Sequence, residues 1–145
     1  MAVALLALVG ALVAAYLTLY KAGVIGQLVC QVGSCEQVNT SRWSVFLGLP
    51  VAAWGVGAYV ILLGLSLAGL QGVAPRGTAV ATTVFSGWCV LFSAWLTWLE
   101  AFRIRAYCMW CLISATIMTL IFITSLVALR GERERSESLS TGARP

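Results

Sequence analysis

Four of the five cysteines fall into two spaced pairs. Cys108-Met109-Trp110-Cys111 is a CxxC, and Cys30 and Cys35 lie in a stretch that also holds Gly23, Gly26 and Gly33. A CxxC at a helix start places its sulfurs near unpaired backbone N–H groups, whose dipole stabilises thiolate. Thiolate is the species that attacks a disulfide. Exchange runs through mixed disulfides, so a second pair in a mobile loop can shuttle between an external protein and the CxxC. The fifth cysteine, Cys89, falls in the middle of an apolar run and reads as a buried apolar side chain.

An acceptor for electrons arriving at the CxxC is limited by what the chain lacks. With no histidine present, the Ser-His-Asp and Cys-His hydrolytic arrangements, His-ligated haem and most mixed zinc sites are excluded. No glycine-rich dinucleotide or phosphate motif follows a strand, and no nucleic acid or metal is expected as a partner. A lipid-soluble redox carrier remains. Cys111 is one helical turn deeper than Cys108 and is bordered by Trp110 and Leu112, so it can meet a quinone head group arriving laterally from the bilayer.

The elements that position these thiols follow from composition. Hydrophobic residues make up 61% of 145 residues and charged residues 10%, with mean hydropathy +0.96, outside the range of a soluble domain. A charge at mid-bilayer costs roughly 2.5–3.5 kcal/mol, so uncharged gaps mark the spans. Ala2 to Tyr20, Trp43 to Pro75, Gly77 to Leu99 and Ala106 to Leu129 are uncharged and exceed or approach the length of about 20 residues needed to cross. The fold expected is all-α: an integral membrane four-helix bundle with an ordered extracytoplasmic loop between the first and second helices. Residues 1–129 form the membrane domain. Residues 130–145 form a polar cytoplasmic tail whose composition reads as disordered. Ala53 with Gly57, and Gly64 with Ala68, have the small-xxx-small spacing of close helix packing. Trp88, Trp95 and Trp98 can form a packing stripe, an interfacial belt or a pocket wall.

A four-span chain puts the loops after its first and third spans on one face, so both cysteine pairs share one aqueous boundary. Charge gives only a slight orientation: with the N-terminus inside, Arg76, Arg130, Arg133, Arg135 and Arg144 are cytoplasmic, against Lys21, Arg42, Arg103 and Arg105 outside. Disulfide chemistry is durable in oxidising compartments, which agrees with an outer location for the pairs.

The run Gly33-Ser34-Cys35-Glu36-Gln37-Val38, then Ser41-Arg42-Trp43-Ser44-Val45-Phe46-Leu47-Gly48-Leu49-Pro50, with Cys108-Met109-Trp110-Cys111 far downstream, resembles the vitamin K epoxide reductase family over roughly residues 5–128. The resemblance implies that Cys111 faces the quinone, that Cys108 exchanges with Cys35, and that Cys30 with Cys35 forms the shuttle pair. It also implies that Ser41 helps hold the loop over the substrate pocket. Bacterial members of the family oxidise a thioredoxin-like protein and reduce ubiquinone or menaquinone, in the cell inner (cytoplasmic) membrane. Animal members have a tyrosine where this chain has Ala115, which counts against vitamin K epoxide as substrate. Many bacterial members carry a fused thioredoxin-like domain after the fourth helix. Here a short polar tail follows instead, so the redox partner is expected to be a separate protein.

The leading expectation is therefore a quinone-coupled disulfide oxidoreductase in contact with membrane lipid. Disulfide bond protein B also has four helices and two pairs, but its CxxC follows the first helix, the reverse of the order here. A non-enzymatic scaffold stapled by structural disulfides would keep its cysteines oxidised under mild reduction, and a four-thiolate zinc protein would reveal itself by metal content.

Overall fold

The computed structural model describes residues 1–31 and 33–142. Four helices are long and apolar enough to cross a membrane. They are α1 (Ala2–Lys21), α3 (Val51–Leu70), α4 (Pro75–Leu99) and α5 (Met109–Gly142). A short helix α2 (Cys35–Thr40) and a two-residue hairpin, β1 (Val45–Phe46) with β2 (Leu49–Pro50), lie between α1 and α3. The four long helices form a ring in which each packs on two neighbours, in the order α1, α3, α4, α5. This is the four-helix architecture expected from the uncharged gaps.

Lipid explains why the sequence tolerates such an exterior. Leu5, Leu12, Val60, Leu91 and Ile123 are exposed on the outside of the helices, where hydrocarbon surrounds them at no penalty. In that solvent every backbone polar group needs an internal partner, which a helix supplies. Hydroxyls follow the same rule: Thr18, Thr82, Thr83 and Thr97 each donate to the carbonyl four residues back, at 2.7–2.9 Å.

The core sits where small residues let large ones in. Gly10 of α1 lies flat against the ring of Tyr59 on α3, leaving no room for a Cβ. Tyr59 is itself fully buried, and its hydroxyl donates to the Ser114 carbonyl of α5 at 2.8 Å. Gly87 of α4 meets Phe122 of α5 less tightly, a Cβ there coming within 3.1 Å of the ring. Among the glycines of the long helices the close approaches therefore fall at Gly10, Gly69 and Gly87. Gly57 and Gly64, singled out by their spacing, have open space where a Cβ would point. Spacing identifies a stripe of small residues but not the face of the helix that meets a neighbour.

Two boundaries differ from the sequence reading. The second span begins at Val51 rather than Trp43, because residues 42–50 fold back as a 3₁₀ turn and the β1–β2 hairpin, in register Val45 with Pro50 and Phe46 with Leu49. The tail, read from composition as disordered, continues α5 as helix to Gly142. Its Glu, Arg, Ser and Leu residues are compatible with helix, and Arg133 pairs with Glu137 one turn on, at 3.5 Å. Residues 131–141 are all exposed, so this end of the helix lies outside the bundle. Residues 143–145 of the expected tail fall outside the described residues.

Candidate active site

The end of α1 sets the direction of the strap that follows. Gly23, with φ +77°, closes a Schellman cap in which Val24 N–H donates to Leu19 O at 3.0 Å and Gly23 N–H to Tyr20 O at 3.0 Å. The chain then crosses the rim of the bundle. Trp110 of α5 fixes it there, donating from Nε1 to Val29 O at 2.8 Å, while the Tyr16 hydroxyl accepts from Val29 N–H at 3.1 Å. The two rings meet at a tilt of 57°, with 5.2 Å between centroids. Gly33 pairs with Cys108 in an isolated bridge, and Ser34 N–H donates to Tyr107 O at 2.9 Å. A Cβ on Gly33 would strike the Tyr107 carbonyl, so this β-like contact between strap and α5 requires glycine.

These contacts bring together the two cysteine pairs, which the chain separates widely. Cys30 and Cys35 form a disulfide with Cα atoms 6.2 Å apart. Cys35 and Cys108 belong to one buried cluster with Val38 and Ala106, at 1% and 0% exposure, with Cys30 and Cys111 packed against its edge. Asn39 stitches the cluster: its Nδ2 donates to Cys35 O at 2.9 Å and lies 3.8 Å from the Cys108 sulfur. Cys30, by contrast, is half-buried at the surface of the strap.

Cys108 immediately precedes α5, and its sulfur takes the place of an N-cap oxygen, accepting the Cys111 N–H at 3.4 Å. Its thiol is held below the ordinary range. The hydrogen bond with the Cys111 thiol is the chief cause, aided by the backbone N–H groups of Cys111 and Trp110; burial and the nearby Glu100 oppose it. The helix-start position expected of the CxxC is what the structure has.

Behind Cys111 a cavity of about 510 Å³ opens into the bundle, within the 300–1,000 Å³ range of small-molecule sites. Its walls are aromatic and apolar, among them Phe46, Trp54, Tyr59, Phe85, Trp88 and Phe92, and include Ala115. Polar groups sit at its rim: Lys21, Asn39, Ser41, Ser44 and Glu100. Lys21 Nζ donates to Asn39 O and, at 2.8 Å, to Ser44 Oγ, tying α1 to the cap. Ser41 lines the cavity while its hydroxyl donates to Val38 O at 2.8 Å, closing the end of α2. Trp110 lies apart from this lining, against Tyr16 and the strap. Of the helical tryptophans, Trp88 contributes to the wall while Trp95 and Trp98 do not. Cys89 is half-buried and reaches the wall as well, a more open position than an apolar core residue would have.

Three polar residues of the site escape a reading by motif. Lys21 and Glu100 served only as markers of span ends, and Asn39 had no pattern around it. Glu100 carried a signal nonetheless, as the sole charge between Arg76 and Arg103. It begins a π-helical turn, Glu100–Ile104, a feature frequent at functional sites, and its carboxylate accepts the Cys108 N–H at 3.2 Å. Among the described residues, no group of three or more His, Cys, Asp or Glu side chains could hold a metal.

Comparison with known sequence families agrees with this geometry. The vitamin K epoxide reductase family matches residues 1–126 of the chain. The chain belongs to that family, whose members are membrane oxidoreductases linking thiol chemistry to quinones.

Proposed function

We propose that this member of the vitamin K epoxide reductase family oxidises a thioredoxin-like protein and reduces a quinone, sustaining disulfide formation on the outer side of the cytoplasmic membrane. The observation that carries the reading is the order of environments across the four cysteines. Cys30 is half-buried at the surface, Cys35 and Cys108 share one buried cluster, and Cys111 lines an apolar cavity. Each exchange then has a neighbour to receive it.

In the first step a thiolate of the partner attacks the Cys30 sulfur, breaking the Cys30–Cys35 bond. A second partner thiolate releases the partner as a disulfide, leaving Cys30 and Cys35 as a dithiol. Cys35 next attacks Cys108 of an oxidised CxxC, and Cys30 resolves the mixed disulfide, so the electron pair moves inward. Finally Cys108 and Cys111 close to a disulfide, and their two electrons with two protons convert quinone to quinol. The lowered pKa of Cys108 suits it to both exchanges, as leaving group towards Cys35 and as attacking thiolate towards Cys111.

Ser41 acts by holding the cap over the cavity, and Trp110 by holding the strap on α5 rather than by touching substrate. Trp54 and Trp88 line the aromatic-walled chamber and are also exposed, so the head group of ubiquinone or menaquinone would enter from the bilayer beside them. Residues 1–129 constitute the membrane domain, and the charged end of α5 lies on the cytoplasmic side. The test is anaerobic: purified protein in detergent, reduced and freed of reductant, is mixed with ubiquinone or menaquinone and quinol is followed by absorbance. One quinol per CxxC is expected from one of the two carriers. No quinol from either overturns the reading.

A further inference from the structure

Glu100 is one of five acidic residues in the chain, and the only one that is buried, at 5% exposure. Glu36, Glu132, Glu134 and Glu137 are all exposed. Among the described residues it makes no ion pair. The π-turn and the bend after it wrap around this side chain: Ala106 N–H donates to the Glu100 backbone carbonyl at 3.2 Å, and Cys108 N–H to its carboxylate at 3.2 Å. Cys111, whose N–H donates to the Cys108 sulfur, lines the same cavity as Glu100. A buried carboxyl without a cation is costly as an anion and cheaper to keep neutral. Cys108 contacts it through its N–H, and Cys111, Lys21, Tyr59 and Cys89 are the other titratable groups that line the same cavity.

We propose that Glu100 is the proton carrier of the CxxC, storing the second proton that a quinone takes up when Cys108 and Cys111 close to a disulfide. The inference rests on the quinone-reducing function above, and its need arises from proton balance. With Cys108 as thiolate, the reduced pair itself holds one proton, on Cys111, whereas quinol requires two. Cys108 thiolate, Cys111 thiol, protonated Glu100 and quinone become the Cys108–Cys111 disulfide, quinol and Glu100 carboxylate. Two electrons and two protons reach the quinone, and one negative charge moves from sulfur to carboxylate. In the return step the Cys30–Cys35 dithiol gives two electrons and two protons. One proton settles on Cys111 and one on Glu100, Cys108 is released as thiolate, and the loop disulfide re-forms. The site never holds both negative charges in its low-dielectric interior.

Glu100→Gln separates carrying a proton from holding a position, because the amide oxygen still accepts the Cys108 N–H. Quinol formation by this variant should slow by at least about 100-fold, the lower end of general acid catalysis. A wild-type rate in Glu100→Gln, with wild type active, overturns the carrier role and leaves the enzyme function standing. Wild type inactive with both quinones removes the function and this inference together. Infrared difference spectroscopy of the wild type decides the matter even if the variant does not fold. One protonated carboxyl band should disappear when quinone oxidises the reduced protein, and its absence from the difference spectrum overturns the proposal.

Discussion

The two cysteine pairs are built by opposite means. Cys108 and Cys111 owe their geometry to the start of α5, where the helix's own N–H groups point at the Cys108 sulfur and three-residue spacing returns Cys111 to it. Cys30 lies on irregular chain, and Cys35 only opens the six-residue helix α2. Their strap is held from outside by Trp110, Tyr16 and Tyr107, each contributing a side-chain or backbone hydrogen bond, while Asn39 of α2 itself bonds to Cys35 O. A pair on a helix keeps its place whatever its redox state. A pair on a borrowed strap can move when its disulfide opens, which a shuttle needs and a quinone site does not.

Breaking each pair should therefore produce different losses. The largest is expected for Cys111→Ala, which removes the sulfur facing the cavity. Quinol should fall to background, while the Cys30–Cys35 disulfide still exchanges with a protein dithiol, as trapping of the mixed disulfide would show. Cys35→Ala comes next. Turnover should fall about 100-fold with a protein donor but less than about tenfold with dithiothreitol, a gap of about one decade or 1.4 kcal/mol in barrier. Equal losses with both donors would mean that the strap is not a shuttle.

The bundle below the site supplies a control. Gly87→Ala brings a methyl within 3.1 Å of the Phe122 ring, neither residue lining the cavity, and should destabilise by about 1 kcal/mol, the low end of overpacking, seen as a lower melting temperature in detergent. The rate per folded molecule should hardly change. The smallest effect expected concerns pH. Cys108 is held below the ordinary thiol range chiefly by its hydrogen bond with Cys111, so its thiolate persists below the pH at which a free thiol, with a pKa near about 8.5, is half protonated. Acidifying through the lowered pKa should remove the thiolate and slow exchange. In Cys111→Ala, thiolate ultraviolet absorbance should fade at a higher pH than in wild type; an unchanged midpoint would show that the Cys111 thiol is not what holds it down.

Much of this was legible before any coordinates. The uncharged gaps marked four spans, because a charge inside lipid is expensive enough to be avoided, and four spans force the loops after the first and third onto one face. The CxxC at a helix start and the family resemblance followed from local spacing. The near side of the site resisted that reading. Residues 43–50 are as free of charge as a span, and only a hairpin turn at Leu47 and Gly48, both with positive φ, makes them a cap. Arg130–Gly142 looks like a solvated tail, yet its residues continue the α5 helix.

Local chemistry, then, was legible in the sequence alone: which cysteines are spaced as pairs, which stretches are apolar enough to cross a membrane, and that both pairs belong to one end of the bundle. Tertiary structure decided which sulfur is sealed and which opens inward, which glycines admit a neighbouring ring, and that Glu100 turns towards the CxxC. The physical reason is reach. Hydrophobicity and helix dipoles act within a few residues and leave a mark in the string of letters, whereas burial depends on groups such as Asn39 and Cys108 that meet only when separate helices pack.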